Sequence, residues 1–398
     1  MDVEGAAGRI ARLRKLAGWS QHQLASRAFV STSLIKKVEQ GRTPPSPSLI
    51  ASCARALGTP PSTVYGVGVE ELVFDGNPGE AAVGELRAAL HAYDDPELTG
   101  APWSDEQLRA SLHRAGQLRR SFRYEGLSQH LPQLLHQLHA RCRDTTPATA
   151  AGERVRAMLH DAYRLAATLG GRFATPDIAA ISSERHVGIA PHTGDPLRVA
   201  LSSYHRCTHL LQHGQFARGE KLLDRARTAA QQGEAPAKHS MAVQLHLRSA
   251  VLSARAGGRT RADQHIAEAR ALADQHEPPD APYDNVDASR LNIDVHWCAL
   301  PVESGDGTTS VSRAAQVSVA DRARPERVGH HHIDMARAWL LHGNRENALR
   351  ELGNARRTAP RHARHHPTVH ETVRALARTD CRATDSLAEF ARWSGIRL

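Results

Sequence analysis

The chain has 398 residues, of which 23% are charged and 40% hydrophobic, and its formal net charge is +9. That length exceeds one ordinary core, so at least two domains are expected. No run of eighteen apolar residues occurs, and the acidic start MDVEGAAGRIARL lacks a secretory apolar stretch, so neither membrane insertion nor export is expected. The five cysteines (Cys53, Cys142, Cys207, Cys298, Cys381) lie far apart without a C-x-x-C pair, which reads as reduced, packed thiols in a cytoplasm.

Charge is unevenly placed. Residues 1–70 hold nine basic and four acidic side chains, an excess of +5, leaving +4 for the other 328 residues. Basic charge gathered in a small segment is the electrostatic footprint of a phosphate-binding module, although an Arg-rich composition also produces basic patches.

Five short helices are expected within the first 65 residues. Ile10, Leu13 and Leu16 space the first, which stops at Gly18. Ser20 caps a second with Leu24 and Ala25 inward. Ser31 caps a third, STSLIKKVEQ, burying Leu34, Ile35 and Val38 before Gly41. PSPSLIASCARALG gives a fourth with Leu49, Ile50, Cys53 and Leu57 inward, and a last turn near Pro60 and Pro61 carries Val64 and Tyr65. Only Phe29 and Val30 separate the second helix from the third, so the pair must cross steeply and project the third outward. The outward face carries Ser31, Thr32, Ser33, Lys36, Lys37 and Gln40, whose hydroxyl, ammonium and amide groups suit base edges in a major groove.

The run LRKLAGWSQHQLASRAFVSTSLIKKVEQGRTPPSPSLIASCARALGTPPSTVY resembles the Cro/phage-repressor class of helix-turn-helix, also called the xenobiotic-response-element class. The resemblance covers about residues 8–65 and rests on S-Q-x-x-L-A-x-x-A, V-S-x-x-x-I-x-x-x-E-x-G and A-L-G in combination. It implies that Thr32, Ser33 and Lys37 face bases, with Lys36 on base or phosphate. It also implies that Gln21, Ser31, Arg42 and Thr43 hold phosphates, and that an Arg14–Glu39 ion pair braces the first helix against the third. Phe29 stands where this class usually has glycine; a left-handed backbone there costs about 1–2 kcal/mol.

Beyond a Gly-rich linker at 67–80, the pattern of 81–398 is helical, with breaks at DDPELTGAP, RDTTP, GIAPHTGDP, QQGEAP, HEPPDAPYD and ESGDG. Gly214, Gly257 and Gly343 are each followed twelve positions on by alanine (Ala226, Ala269, Ala355), and they are spaced by 43 and 86 residues. Stepping back 43 reaches Gly171, with Ser183 twelve positions on. Such glycines end the first helix of a hairpin, and the small residue lets the second pack closely. These segments resemble tetratricopeptide repeats, although the period exceeds the usual 34 or so. Position 300 is degenerate, which marks an irregular or extended loop. The fold class expected is therefore all-α, a five-helix Cro/repressor-like domain (1–66) followed by a tetratricopeptide-like α-solenoid for sensing and dimerisation. The combination resembles bacterial, especially actinobacterial, regulators in which a repeat domain senses a peptide or small molecule.

The first helices of the hairpins should line the concave face. Their candidate groove residues are Tyr204, His205, His209, Gln212, Gln244, Arg248, Asn292, His296, His332 and Trp339, whose amide, imidazole and guanidinium groups suit an extended ligand. His205, His209 and His213 fall at i, i+4 and i+8, and further groups occur at His330–His332 and at His362, His365, His366 and His370. None has an H-E-x-x-H arrangement, and the reading is solvated or groove-lining histidine, with no metal and no cofactor expected. No activated nucleophile, carboxylate pair or phosphate-cradling loop appears, so no enzyme is expected. The expectation is a dimeric regulator of double-stranded DNA reading a near-palindromic operator under control of an effector. One alternative is a constitutive repressor whose repeats serve dimerisation or partner binding, which a copurified ligand separates from the sensor. A second, from another class, is a metal-dependent enzyme built on the histidine clusters, which metal analysis tests.

Overall fold

A computed structural model describes residues 5–59, 63–64, 80–173, 175–234, 237–275, 286–319, 325–364, 366–379 and 385–396. The expectations for the 67–80 linker, Tyr65, His365 and Cys381 fall outside these residues, apart from Glu80, as does the side chain of Gln212.

Among the described residues every regular element is helical. The N-terminal unit comprises α1 (Ala6–Leu16), α2 (Gln21–Ala28), α3 (Thr32–Glu39) and α4 (Pro47–Ala56). Each of the last three starts at a serine whose hydroxyl accepts the N–H two or three residues into the helix: Ser20 from Gln23, Ser31 from Leu34 and Ser46 from Leu49. Gln23 returns the bond to the Ser20 N–H, completing a capping box. The core holds Ile10, Leu24, Ala25, Ile35, Val38, Ile50, Cys53 and Val64, with Leu34 and Leu57 half-buried at its edge. Leu16 departs from its expected inward place. It is 74% exposed, because α1 ends there and its last turn overhangs the core.

The remaining helices are α5 (Glu80–His91), α6 (Asp105–Arg120), α7 (Tyr124–Arg143), α8 (Ala150–Arg172), α9 (Pro176–Ile189), α10 (Pro196–Gln212), α11 (Phe216–Ala230) and α12 (Ala237–Arg255). They continue with α13 (Arg259–Gln275), α14 (Arg290–Glu303), α15 (Gly307–Ala314), α16 (Pro325–His342), α17 (Arg345–Thr358), α18 (Pro360–Arg364), α19 (Pro367–Thr379) and α20 (Asp385–Trp393). Consecutive helices pair as α8–α9, α10–α11, α12–α13, α14–α15 and α16–α17, and the first helices α10, α12, α14 and α16 stack on one another in sequence. This is solenoid packing.

The glycine pattern has its physical basis at Gly214, Gly257 and Gly343, which take φ of +67°, +86° and +95° as their helices end. Ala226, Ala269 and Ala355 are at most 2% exposed in the paired helices. Two details of the expected register are corrected. Residue 300 lies inside α14, and the hairpin glycine of that repeat is Gly305 (φ +82°), 48 rather than 43 residues after Gly257. Extra chain before α14 displaces the glycine without removing the hairpin. Gly171 sits in the last turn of α8 and meets nothing within 4 Å; the close approach is at Gly170, where a Cβ would lie 2.4 Å from the Ala179 nitrogen.

Two long-range contacts were not expressed in the repeat pattern. Arg361, on α18, donates to the Ser121 carbonyl between α6 and α7 at 3.3 Å, and the Phe122 ring lies 5.6 Å from that of His362. The array thereby meets itself across 240 residues. The N-terminal unit is also docked on the array. Glu371 of α19 accepts the Ala6 N–H at 3.1 Å and pairs with Arg9 at 3.2 Å, while Arg337 of α16 donates to the Pro45 carbonyl at 3.0 Å. A third contact lies at Gly214, where a Cβ would stand 3.2 Å from Arg55 Nε of α4.

Candidate nucleic-acid interface and interior cavity

Helix α3 begins at a capped serine and buries Ile35 and Val38. The 3.6-residue period then turns Thr32, Ser33, Lys36 and Lys37 to the outside, and all four are exposed. Among the described residues no ion pair involves Lys36, Lys37 or Arg42, so these cations are directed at solvent. Arg42 is exposed and Thr43 half-buried just after Gly41, whose φ of +71° turns the chain; both residues donate their N–H to the Lys37 carbonyl. Ser31 keeps its hydroxyl proton for a further acceptor, since its oxygen serves as the cap.

The bracing of this helix is electrostatic. Arg14 Nε and Nη2 donate to the two Glu39 oxygens at 2.7 and 2.8 Å, and Arg14 Nη1 donates to the Trp19 carbonyl. Burial alone pushes the Glu39 carboxyl up, but hydrogen bonds from Arg14 and Gln21 outweigh it and hold the group below its ordinary range. One N–H of Gln21 Nε2 donates to Glu39 at 2.8 Å and braces α3, and the amide keeps a second N–H for another acceptor. His22, which the sequence reading passed over, is exposed and lies 3.3 Å from Thr32 Oγ1. One helical step beyond Gln21 on the same solvent-facing end of α2 was the available signal. Phe29 has φ +56° and is 82% exposed, with the Arg55 guanidinium 5.4 Å over its ring.

Of the ten groove residues expected in the array, Tyr204, Arg248 and His296 converge on one cavity of about 310 Å³. Arg248 stacks on Tyr204 at 4.2 Å, and its Nε is buried without a hydrogen-bond partner among the described residues. Burial pushes the His296 imidazole down to about 3. The cavity also holds His330, read from the sequence as a solvated or groove-lining histidine, and Arg255, Glu303, Arg327 and Asp334, which sequence reasoning missed. Their signal was spacing: Arg248 and Arg255, His296 and Glu303, and Arg327 and Asp334 each stand seven apart, two turns along one face. Arg255 pairs with Glu303 at 2.7 Å, and burial pushes the Asp334 carboxyl up.

The other groove candidates are placed elsewhere. Gln244 and Asn292 are buried and both donate to the Asp287 carbonyl at 2.6 Å, which makes them internal braces. His205 sits 3.1 Å from His186, which stacks on His160; burial and its neighbours hold His186 and His205 well below the usual imidazole range. His209 lies near Ser183 on the outer side, His332 contacts Glu351 at 2.7 Å, and Trp339 packs on the core of the last helices. A second cavity of about 470 Å³ lies at the closing seam, lined by Phe122, Tyr124, Arg172, Arg361, His362 and Trp393 among others.

A capped, braced helix presenting hydroxyl and ammonium groups beside a short preceding helix defines a helix-turn-helix, a DNA-binding class. Residues 6–64 match a family model described as a helix-turn-helix domain. No curated protein and no solved structure matches the chain. No described helix is long and apolar enough to cross a membrane.

Proposed function

We propose that this chain is a cytoplasmic, sequence-specific transcriptional regulator that binds a near-palindromic operator as a homodimer. The observation that carries the reading is the outward face of α3, where Thr32, Ser33, Lys36 and Lys37 stand exposed on a helix locked in place by Arg14 and Glu39. Thr32, Ser33 and Lys37 read base edges; Lys36, Arg42, Thr43 and the Ser31 hydroxyl engage phosphate. His22 supports Thr32, and Gln21 holds Glu39 with one amide N–H while offering the other to phosphate. Two such helices in a dimer enter successive major grooves about 34 Å apart.

The array, which we assign as tetratricopeptide-like, supplies the dimer contacts and the effector site. The 310 Å³ cavity suits a peptide or small molecule carrying an acceptor for Arg248 and a donor for Glu303 or Asp334. Binding there shifts the population of docked and released N-terminal units, since α16 contributes both to the cavity and to Pro45. The test is a mobility-shift assay on a genomically selected operator. The Thr32→Ala/Ser33→Ala/Lys37→Ala variant is expected to bind operator and random duplex alike, a loss of at least 10³-fold in preference. Retained preference overturns the assignment.

A further inference from the structure

Three imidazoles converge beside the seam where the array closes. His330 on α16, His362 on α18 and His366 just before α19 each offer a ring nitrogen, and these nitrogens lie within 4.8 Å of one another. His330 Nδ1 and His362 Nε2 are 3.3 Å apart. A tetrahedral ion with metal–nitrogen bonds of about 2.0–2.1 Å spaces its ligand atoms about 3.3–3.4 Å apart, so these two already stand at ligand separation. The three ring pairs are tilted by 44° to 72° rather than stacked, which lets the nitrogens point inward while the ring bodies pack outward.

Protein partners leave this cluster partly unsatisfied: His366 Nδ1 accepts the Thr368 N–H at 3.3 Å, but His362 is less well served. His362 is 7% exposed, its Nδ1 is buried without a partner among the described residues, and its other nitrogen faces another imidazole across a gap that holds one proton. His330 presents its second nitrogen, Nε2, to Asp334 Oδ2 at 3.7 Å. That separation is an ion-pair contact rather than a hydrogen bond, and closing it would let the Asp334 carboxyl orient a metal-bound His330. Three imidazoles select borderline transition metals over magnesium or calcium, which favour oxygen. His330 lines one cavity and His362 the other, so an ion has an approach from either side.

We infer that His330, His362 and His366 form a binding site for a divalent ion of the zinc, nickel and cobalt class, with Asp334 as a positioning residue for His330. This replaces the expectation that the histidine groups bind no metal. The ion ties α16 to the start of α19. Arg337 lies two turns beyond His330 on the first helix, and Glu371 lies five residues beyond His366 on the second; these are the residues that hold Pro45 and Arg9. Metal occupancy therefore stiffens the seat of the N-terminal unit.

The test uses chelator-treated full-length protein and needs no DNA, so its failure is separate from failure of the DNA-binding reading. Calorimetric titration with zinc is expected to give one ion per chain. X-ray absorption of the wild-type zinc complex is expected to show three imidazoles and no sulfur. His362→Gln and His366→Gln should each weaken binding at least tenfold, and Asp334→Asn by about tenfold. Zinc should also slow backbone hydrogen exchange in α1 and α4 of the wild type and leave the His362→Gln rate unchanged. Absence of stoichiometric binding, fewer than three imidazoles around the ion, or undiminished affinity in His330→Gln/His362→Gln overturns the site. The wild-type absorption measurement decides even if a variant loses its fold.

Discussion

The N-terminal unit and the array use their polar residues in opposite ways. The unit buries alanine, leucine, isoleucine and valine and leaves most of its cations at the surface, with a single histidine, His22, among its first 65 residues. The array takes imidazoles, guanidinium groups and carboxylates inside, where His160, His186 and His205 follow one another and Arg255 pairs with Glu303. The unit therefore keeps its charges in water, whereas the array holds titratable groups in its interior.

Acid should break the array first. His139 is held at about 3 and His246 at about 4, chiefly by burial, and burial also holds His186 and His205 well down. In the unfolded chain these imidazoles protonate near pH 6.5. Between the folded and unfolded values the unfolded chain binds more protons, so their contribution is intact above pH 6.5 and declines as pH falls below it. At pH 5.5 His139 and His246 each cost about 1 kcal/mol, and His186 and His205 act in the same direction. Calorimetric scans at pH 7.5 and 5.5 should show the array transition falling steeply; equal transitions at both values contradict the contrast. Next in size is Glu39→Ala, which strands Arg14 in a setting where the two side chains are only 5% and 10% exposed. It should cost about 3 kcal/mol, read by urea unfolding, and should weaken operator binding with it.

The smallest effect compares two phenylalanines. Phe29 and Phe122 both have φ +56°. Phe29→Gly relieves about 1–2 kcal/mol of backbone strain against the extra unfolded-state freedom of glycine, for a net gain of about 1 kcal/mol in stability. Phe122→Gly should show no gain, because its half-buried ring packs on Tyr124 and His362. Thermal melts of the two variants moving in the same direction would remove the distinction.

The helix-turn-helix was legible because its signals are local: serine caps, glycine stops and apolar spacing all fall within a few turns of one another. The hairpins were legible for the same reason, and the error at residue 300 arose from assuming a constant period where extra chain precedes α14. The cavity was legible only in part. Tyr204, Arg248 and His296 were found by asking which helices face inward, whereas Gln244 and Asn292 share those helices but turn to the Asp287 carbonyl. That choice depends on how neighbouring hairpins tilt, which no single helix encodes. The meeting of Ser121 with Arg361 depends on the summed curvature of every intervening hairpin, so nothing in either segment announces it.

That meeting changes how the molecule comes apart. An open stack of repeats frays from its ends, each unit melting almost on its own account. Here Arg361 and His362 lean on Ser121 and Phe122, so the late helices are fastened to early ones. Fraying at that end must first part the seam, and the stack then melts less like a zipper and more like a hoop whose clasp fails before its links.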